Sequence, residues 1–281
     1  MFALPSSPAR TARPTCHRSA AARLRFRVSG TLATLRRRQR LLFDFGAVHL
    51  AVAAVLLAAA PFSEAEVMGV HAFFKPVKFL LSTWLLVWAM VVYLPLLRAP
   101  RLVRAYAGLA VVILGLENGY IVAQALRGAR SHFNTADWFG PVVFPLMGMA
   151  ISAFTLSTLY VGWRFVRLRR ADVSPALLTG IRWGIFLFVL FAFEGGLIGA
   201  NGGHTVGAAD GGAGLPFLGW SLEHGDLRIA HFVGMHALQV LPVLGGLVLR
   251  KRWQMHVAGV VYLGLGLVVL AAALAGRGVW G

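Results

Sequence analysis

The stretch Phe79–Leu97 reads FLLSTWLLVWAMVVYLPLL and contains 19 residues without a single charged side chain. It is the centre of an apolar segment that runs from about residue 76 to residue 97. A helix rises about 1.5 Å per residue, so such a segment can cross a hydrocarbon core about 30 Å thick. Six other segments have a similar length and composition. They run roughly over 41–62, 104–126, 139–163, 177–200, 228–249 and 256–276. The pattern predicts an all-α membrane bundle of seven transmembrane helices.

The overall composition agrees with this prediction. Hydrophobic residues make up 58% of the chain, charged residues only 13%, and the mean hydropathy is +0.72. A soluble domain of 281 residues could not bury that much apolar surface around one core. The composition therefore excludes a soluble helical protein.

The basic residues predict the orientation of the helices. Residues 1–40 contain ten Arg and no acidic residue, and further basic clusters follow the second, fourth and sixth segments. The acidic residues outside the apolar segments mostly fall in the alternate connections. They are Glu64, Glu66, Asp137, Asp210, Glu223 and Asp226. Because short cytoplasmic loops are enriched in Lys and Arg, we expect the N-terminus inside, the C-terminus outside and a location in the cytoplasmic membrane.

The N-terminal residues 1–40 form a separate region, ahead of a transmembrane domain over residues 41–281. The tail has few apolar residues to bury, so we expect it to be disordered. It contains Cys16, the one cysteine, so the sequence predicts no disulfide framework. The net charge of +17 lies mostly in this tail and in the predicted cytoplasmic loops. Basic residues in these places determine the membrane topology and bind anionic lipid headgroups, which argues against nucleic-acid binding.

Ionisable residues within the apolar segments are candidate functional groups, because a charge in hydrocarbon is costly. Glu117, Glu194 and His236 are the candidates for acid–base catalysis. His231 and His236 are the candidate metal ligands. Their i, i+5 spacing makes the two rings diverge on a straight helix, which favours two different partners over one shared ion.

A second set of candidates lies at the predicted outer rim and could contact a ligand. It consists of Lys75, Lys78, Gln124, Arg127, Arg130, His132, Asn134, Arg228 and Gln239. Lys75 and Lys78 stand at the start of a helix, where the macrodipole disfavours cations. We expect a negative partner there, either Glu117 or Glu194 or an anionic ligand. The structural alternative is that these polar residues are interfacial anchors and helix–helix hydrogen bonds.

Local signals predict several helix features. Ser174 and Asp226 are expected to cap the fifth and sixth helices at their N-termini. Pro141 and Pro145 should kink the outer half of the fourth helix. Gly195 and Gly199 form a small-xxx-small step that suits close helix packing.

Three segments resemble a bacterial family of multi-pass membrane proteins. They are HAFFKPVKF at 71–79, RGARSHFN at 127–134 and GDLRIAHFVGMHALQ at 225–239. The resemblance covers roughly the region from the second helix to the sixth. It implies a membrane location and no particular activity.

The residues leave three functional classes open. The first is an outward-facing His/Glu/Arg site that binds haem, a transition metal or a small ligand. The second is a membrane enzyme acting on a lipid or isoprenoid, whose phosphate or carboxylate the basic residues would bind. The third is a small proton-coupled transporter. The predicted partners are the lipid bilayer and a small-molecule or lipid ligand, and enzymatic activity and the oligomeric state are left open.

Overall fold

The structure is a computed structural model that describes residues 31–169 and 171–278. In this part of the chain, seven helices are long and apolar enough to cross a membrane, which confirms the predicted fold class. We number them α1 (Arg40–Ala59), α2 (Phe74–Tyr93), α3 (Pro100–Leu126), α4 (Gly140–Arg167), α5 (Pro175–Glu194), α6 (Leu227–Val243) and α7 (Arg252–Leu274). Most of these bounds lie within about four residues of the predicted segments, in keeping with the usual uncertainty of helix ends.

Short elements extend or connect the long helices. Single turns at Ala60–Phe62, Leu94–Leu97 and Leu244–Val248 continue α1, α2 and α6, and a short helix follows α5 at Gly196–Ala200. Two small antiparallel pairs lie in the connections. Strand β1 (Glu66–Val67) pairs with β2 (Val70–His71), and β3 (Thr205–Val206) pairs with β4 (Gly225–Asp226).

The predicted local signals at the helix ends are confirmed. The Ser174 hydroxyl accepts a hydrogen bond from the Leu177 amide at 3.1 Å, as an N-cap does. Asp226 accepts from the Arg228 amide at 3.0 Å at the start of α6. Pro145 lies inside α4.

The N-terminal tail differs from the expectation where the structure describes it. Residues 31–38 are helical, although they fall within the tail expected to be disordered. Two contacts order them, because Leu35 packs against the core and the Arg36 guanidinium donates to Asp44 of α1 at 2.6 Å. The prediction of disorder for residues 1–30 lies outside the described residues.

The most extensive helix–helix contact joins α5 and α6. It depends on glycine, because a Cβ at Gly180 would lie 2.6 Å from the Leu241 carbonyl oxygen and one at Gly184 2.8 Å from that of Ala237. The sequence predicted the small-xxx-small packing step at Gly195 and Gly199 instead. That prediction is wrong at Gly199, where a Cβ would have no neighbour within 4 Å. The true small-xxx-small step is Gly180–Gly184, and it lets the two backbones approach closely.

The two ends of the bundle differ in chemistry. We call the end that holds residues 63–73, 127–139 and 201–226 the polar end. The opposite end, with residues 98–99, 168–169, 171–174 and 249–251, is the basic end. There Arg98 and Asp172 join two connections by an ion pair. Between the ends the outer faces of the helices are apolar and exposed, for example at Val261 and Val268 of α7, as is typical of contact with lipid.

Candidate functional site

Three cations from two helices meet at the polar end. Lys75 and Lys78 lie in the first turns of α2, and Arg228 lies in the first turn of α6. The Lys78 ammonium donates to the Leu218 carbonyl oxygen at 2.7 Å, and the Arg228 guanidinium donates to the next carbonyl along the chain, that of Gly219. Because the two carbonyls are consecutive, they bring α2 and α6 to one place. We call Lys75, Lys78 and Arg228 the cationic site.

A buried carboxylate holds Arg228 in position. The Asp226 side chain has no exposed surface, and it accepts from the Arg228 Nε at 2.9 Å and from the Ser221 amide at 2.9 Å. The charge-assisted bonds to Arg228 fix both the guanidinium and the last turn of the loop before α6. Asp226, two residues earlier in the chain, therefore neutralises and orients Arg228.

The two lysines have no such partner. Neither ammonium lies within 4 Å of a carboxylate oxygen among the described residues. The expectation that Glu117 or Glu194 pairs with Lys75 or Lys78 is therefore wrong. Glu194 cannot reach the lysines because it is buried against α6. Glu117 forms no hydrogen bond or ion pair with the described part of the chain.

Lys75 has a neutral partner instead. Its ammonium lies 3.4 Å from Nδ1 of His132, which the Ser131 hydroxyl also approaches at 3.1 Å. Burial, and to a smaller extent the positive charge of Lys75, lower the pKa of His132 to about 3. The imidazole is therefore neutral at physiological pH. With Nδ1 facing donors, its proton is on Nε2.

The balance of charge around the cationic site is positive. The charges of Arg228, Lys78 and Arg130 all act on Lys75, and the opposing charge comes from Asp210. Asp210 is itself bound, because it accepts from the amides of His204 and Thr205 and lies 3.1 Å from the His204 ring. Four cations thus face two carboxylates, Asp210 and Asp226, and each carboxylate already has donors. An excess of two positive charges is left.

The connection between α3 and α4 forms a second polar region next to this site. Gln124 is buried, and its amide donates to the Arg130 carbonyl oxygen at 2.9 Å and accepts from the Arg127 guanidinium at 2.8 Å. Asn134 donates to Asp137 at 2.9 Å. Gln124, Arg127 and Asn134 therefore have structural partners, whereas the Arg130 guanidinium makes no hydrogen bond or ion pair within the described residues. A cleft of about 380 Å³ lies between these side chains, lined by Arg127, Arg130, Asn134 and Asp137 among others.

Glu194 lies apart from both regions, between α5 and α6. Its side chain is 6% exposed, and neither carboxylate oxygen has a hydrogen bond. Nδ1 of His231 lies 3.4 Å from one carboxylate oxygen, but that nitrogen donates to the Phe191 carbonyl oxygen at 2.7 Å. The imidazole reaches α5 because position 195 is Gly, where a Cβ would lie 2.6 Å from the ring. His231 thus satisfies a carbonyl at the end of α5 and leaves the carboxylate without a good donor.

His231 and His236, the predicted metal pair, have different neighbours. His236 lies 3.3 Å from the Gln239 side-chain oxygen and packs against Phe232 at 4.2 Å between ring centroids. In the described part of the chain, no three His, Cys, Asp or Glu side chains are grouped as metal ligands. The divergence predicted from the i, i+5 spacing agrees with these separate contacts, and metal binding stays a prediction.

A further polar cluster lies within the membrane helices, and sequence reasoning found it only in part. Asn118 of α3 donates to the Thr83 hydroxyl of α2 at 2.9 Å and approaches Nε2 of His49 of α1 at 3.4 Å. His49 in turn bonds the Phe45 carbonyl oxygen at 2.8 Å. The cluster joins three helices and leaves the Asn118 carbonyl oxygen unpaired. His49 and Asn118 stand out in the sequence as polar residues within apolar segments, whereas Thr83 does not, because threonine is common in such helices.

The segments at 71–79, 127–134 and 225–239 all contribute to the polar end, and their resemblance to a family of membrane proteins stays a prediction. Lys75 and Lys78 come from the first, His132 from the second and Arg228 from the third. Comparison with known proteins adds no relative, since no family model, curated protein or solved structure matches the chain. The functional argument therefore rests on the geometry of the polar end.

Proposed function

We propose that this multi-pass membrane protein binds an anionic ligand, carrying a phosphate or a carboxylate, at the cationic site. The observation that supports the proposal is the pair Lys75 and Lys78. Both are half-buried, and neither has a carboxylate partner within the described residues. Their position one turn apart beside Arg228 gives an anion three donors from two helices.

Electrostatics explains why the site favours an anion. A partly buried charge loses hydration, and like charges at short range raise the free energy further. The helix macrodipole adds to this cost, because it places partial positive charge at the start of α2, where both lysines lie. A bound anion offsets the lost hydration, the repulsion between like charges and the effect of the macrodipole together. Lysine and arginine bonds to phosphate or carboxylate are also among the strongest hydrogen bonds in proteins.

The surrounding residues have distinct roles in this proposal. Asp226 orients Arg228, so that the guanidinium is held in place before a ligand arrives. His132 is kept neutral, so it neither adds a cation nor repels one, and its Nε2 hydrogen is a further donor. Arg130 extends the positive field toward the cleft between α3 and α4. With the predicted orientation, the cationic site faces the extracytoplasmic side.

The other predicted functions rest on residues outside this site. Haem or metal binding at His231 and His236, and acid–base chemistry at Glu117, Glu194 and His236, stay predictions. An anion site fits two of the predicted classes equally well. One is a protein that binds a small ligand, and the other is a membrane enzyme that binds the phosphate of a lipid or isoprenoid.

Thermal unfolding with a panel of anions tests the proposal. The full chain in a neutral detergent is heated with inorganic phosphate, pyrophosphate, citrate or phosphatidylglycerol, next to K75Q/K78Q. The control is R101Q/R104Q, which removes two exposed charges at the start of α3, toward the basic end. We expect at least one anion to raise the midpoint of the wild type and the control but not that of K75Q/K78Q. The proposal fails if no anion stabilises the wild type, or if K75Q/K78Q responds as the wild type does.

A further inference from the structure

The segment Leu215–Trp220 lies directly over the cationic site. It reads LPFLGW and contains no charged residue. The segment bonds the cations through its main chain, because Lys78 and Arg228 donate to the carbonyl oxygens of Leu218 and Gly219. These carbonyls occupy the positions that the oxygens of an anion would take. We call Leu215–Trp220 the cover segment.

The cover segment belongs to the irregular connection between α5 and α6, outside the long helices. It is closed by a bridge between Gly214 and Ser221 and by a hydrogen bond from the Gly219 amide to the Leu215 carbonyl oxygen at 2.7 Å. Phe217, a residue with a Cβ, has a left-handed φ of 64°, which is unfavourable. Releasing the cover segment therefore requires no helix to unfold, and it frees a strained residue.

The sides of the cationic site are apolar and exposed. Phe79 is 40% exposed and Phe217 36% exposed, and the ring of Phe217 lies 5.2 Å from that of Phe74 between centroids. The Lys78 ammonium lies 6.0 Å from the Phe217 ring centroid. Lys78 is four residues into α2, or about 6 Å along the helix from its start. A cation at this depth, between exposed aromatic rings, suits a ligand with a charged group and an apolar chain.

We propose that the ligand of the cationic site is an anionic membrane lipid. Its headgroup phosphate replaces the Leu218 and Gly219 carbonyl oxygens on Lys78 and Arg228, and its acyl chain lies along the exposed ring of Phe79, which stays in place on α2 when the cover segment leaves. This inference rests on the proposed function and narrows it. A soluble anion would satisfy the cations equally well, but it would leave the exposed ring of Phe79 without a role.

Binding of matched probes separates a lipid from a soluble anion. The full chain in a neutral detergent is titrated with short-chain phosphatidylglycerol, glycerophosphoglycerol, which is the same headgroup without chains, and inorganic phosphate. We expect phosphatidylglycerol to act at a concentration at least about tenfold lower than either soluble probe. K78Q should abolish the response to all three, whereas F79A should weaken only the response to the lipid.

The outcomes distinguish the two proposals. If glycerophosphoglycerol acts at the same concentration as phosphatidylglycerol, the site binds the headgroup alone, and the lipid inference is overturned while the anion site stands. A lipid response that K78Q leaves unchanged means binding elsewhere and overturns the lipid inference. If no probe acts, both proposals fail.

Hydrogen exchange of the wild type provides a second measurement that does not depend on whether K78Q folds. Saturating phosphatidylglycerol should speed exchange in a peptide spanning residues 215–220, because the cover segment leaves its contacts. Phosphatidylcholine, whose headgroup has no net charge, is the control and should leave that exchange as it is without lipid. Unchanged exchange with phosphatidylglycerol would contradict displacement of the cover segment.

Discussion

The individual side chains at the polar end differ in how well they are satisfied. Arg228 has a buried carboxylate, Lys78 has a carbonyl oxygen, and Lys75 has only a neutral imidazole at 3.4 Å. Residues that are left without good partners lower stability and are retained where function needs them. Without a ligand, the loss of folding stability that each cation causes should therefore increase from Arg228 to Lys78 to Lys75.

This order predicts the effect of removing each lysine. Without an anion present, K75M should raise the stability of the folded protein by about 1 kcal/mol, because it removes a half-buried cation with no carboxylate. K78M is the matched control and should gain less, since it also loses the hydrogen bond to Leu218. The measurement is the midpoint of thermal unfolding at low salt. A clear fall for K75M would show that Lys75 has a stabilising partner.

His132 predicts a pH dependence with a definite sign. Its pKa is about 3 in the folded protein against an ordinary 6.5, because burial disfavours the imidazolium. Between these two values the unfolded chain binds more protons, so stability should fall as the pH is lowered from about 6.5 toward about 4. Thermal unfolding over a pH series should show a steeper fall for the wild type than for H132Q. Equal slopes would contradict a buried neutral His132.

At the scale of helices, glycine determines how α5 and α6 pack. Gly180 and Gly184 lie on one face of α5, and the backbone of α6 approaches both. This close approach buries Glu194 and brings His231 to the Phe191 carbonyl oxygen. The polar contacts between the two helices therefore depend on the glycines beneath them.

Alanine at Gly184 should test this packing. Its Cβ would lie 2.8 Å from the backbone oxygen of Ala237, which cannot move aside as a flexible side chain does. We expect G184A to lower the free energy of unfolding by about 1–3 kcal/mol. G148A is the control, because a Cβ at Gly148 of α4 has no neighbour within 4 Å, and it should leave stability unchanged or higher. If G184A unfolds like the wild type, the close approach of α5 and α6 is not present in solution.

For the molecule as a whole, the sequence predicted the helices but not how their faces meet. Length and hydropathy suffice for the spans, and Ser174 and Asp226 acted as local capping signals. The Gly180–Gly184 contact was missed because large apolar residues lie on every face of α5, so hydropathy does not indicate which face packs. The link from Lys78 to Leu218 joins residues 140 positions apart, and it depends on the path of an irregular loop. The position of Lys75, Lys78, His132 and Arg228 near one rim was predicted from their depth in the helices. The predicted pairing of Glu117 or Glu194 with a lysine was wrong.

The orientation in the membrane stays a prediction that a pair of fusions can test. The excess of basic residues at the basic end predicts that this end is cytoplasmic. A reporter fused after Arg169 should then be active in the cytoplasm, and one fused after Gly214 should be active on the opposite side. The same compartment for both fusions would contradict the alternation of the helices. Exchanged compartments would place the cationic site on the cytoplasmic side.

The central claim is that the polar end holds a cationic site that binds an anion, and equilibrium binding tests it most directly. The most stabilising anion from the thermal panel is labelled and titrated into the wild type, K75Q/K78Q and R101Q/R104Q in the same detergent and at the same ionic strength. Two lost charge-assisted bonds predict a dissociation constant at least about tenfold higher for K75Q/K78Q, whereas R101Q/R104Q should stay within about twofold of the wild type. Equal affinity of K75Q/K78Q and the wild type would contradict the account.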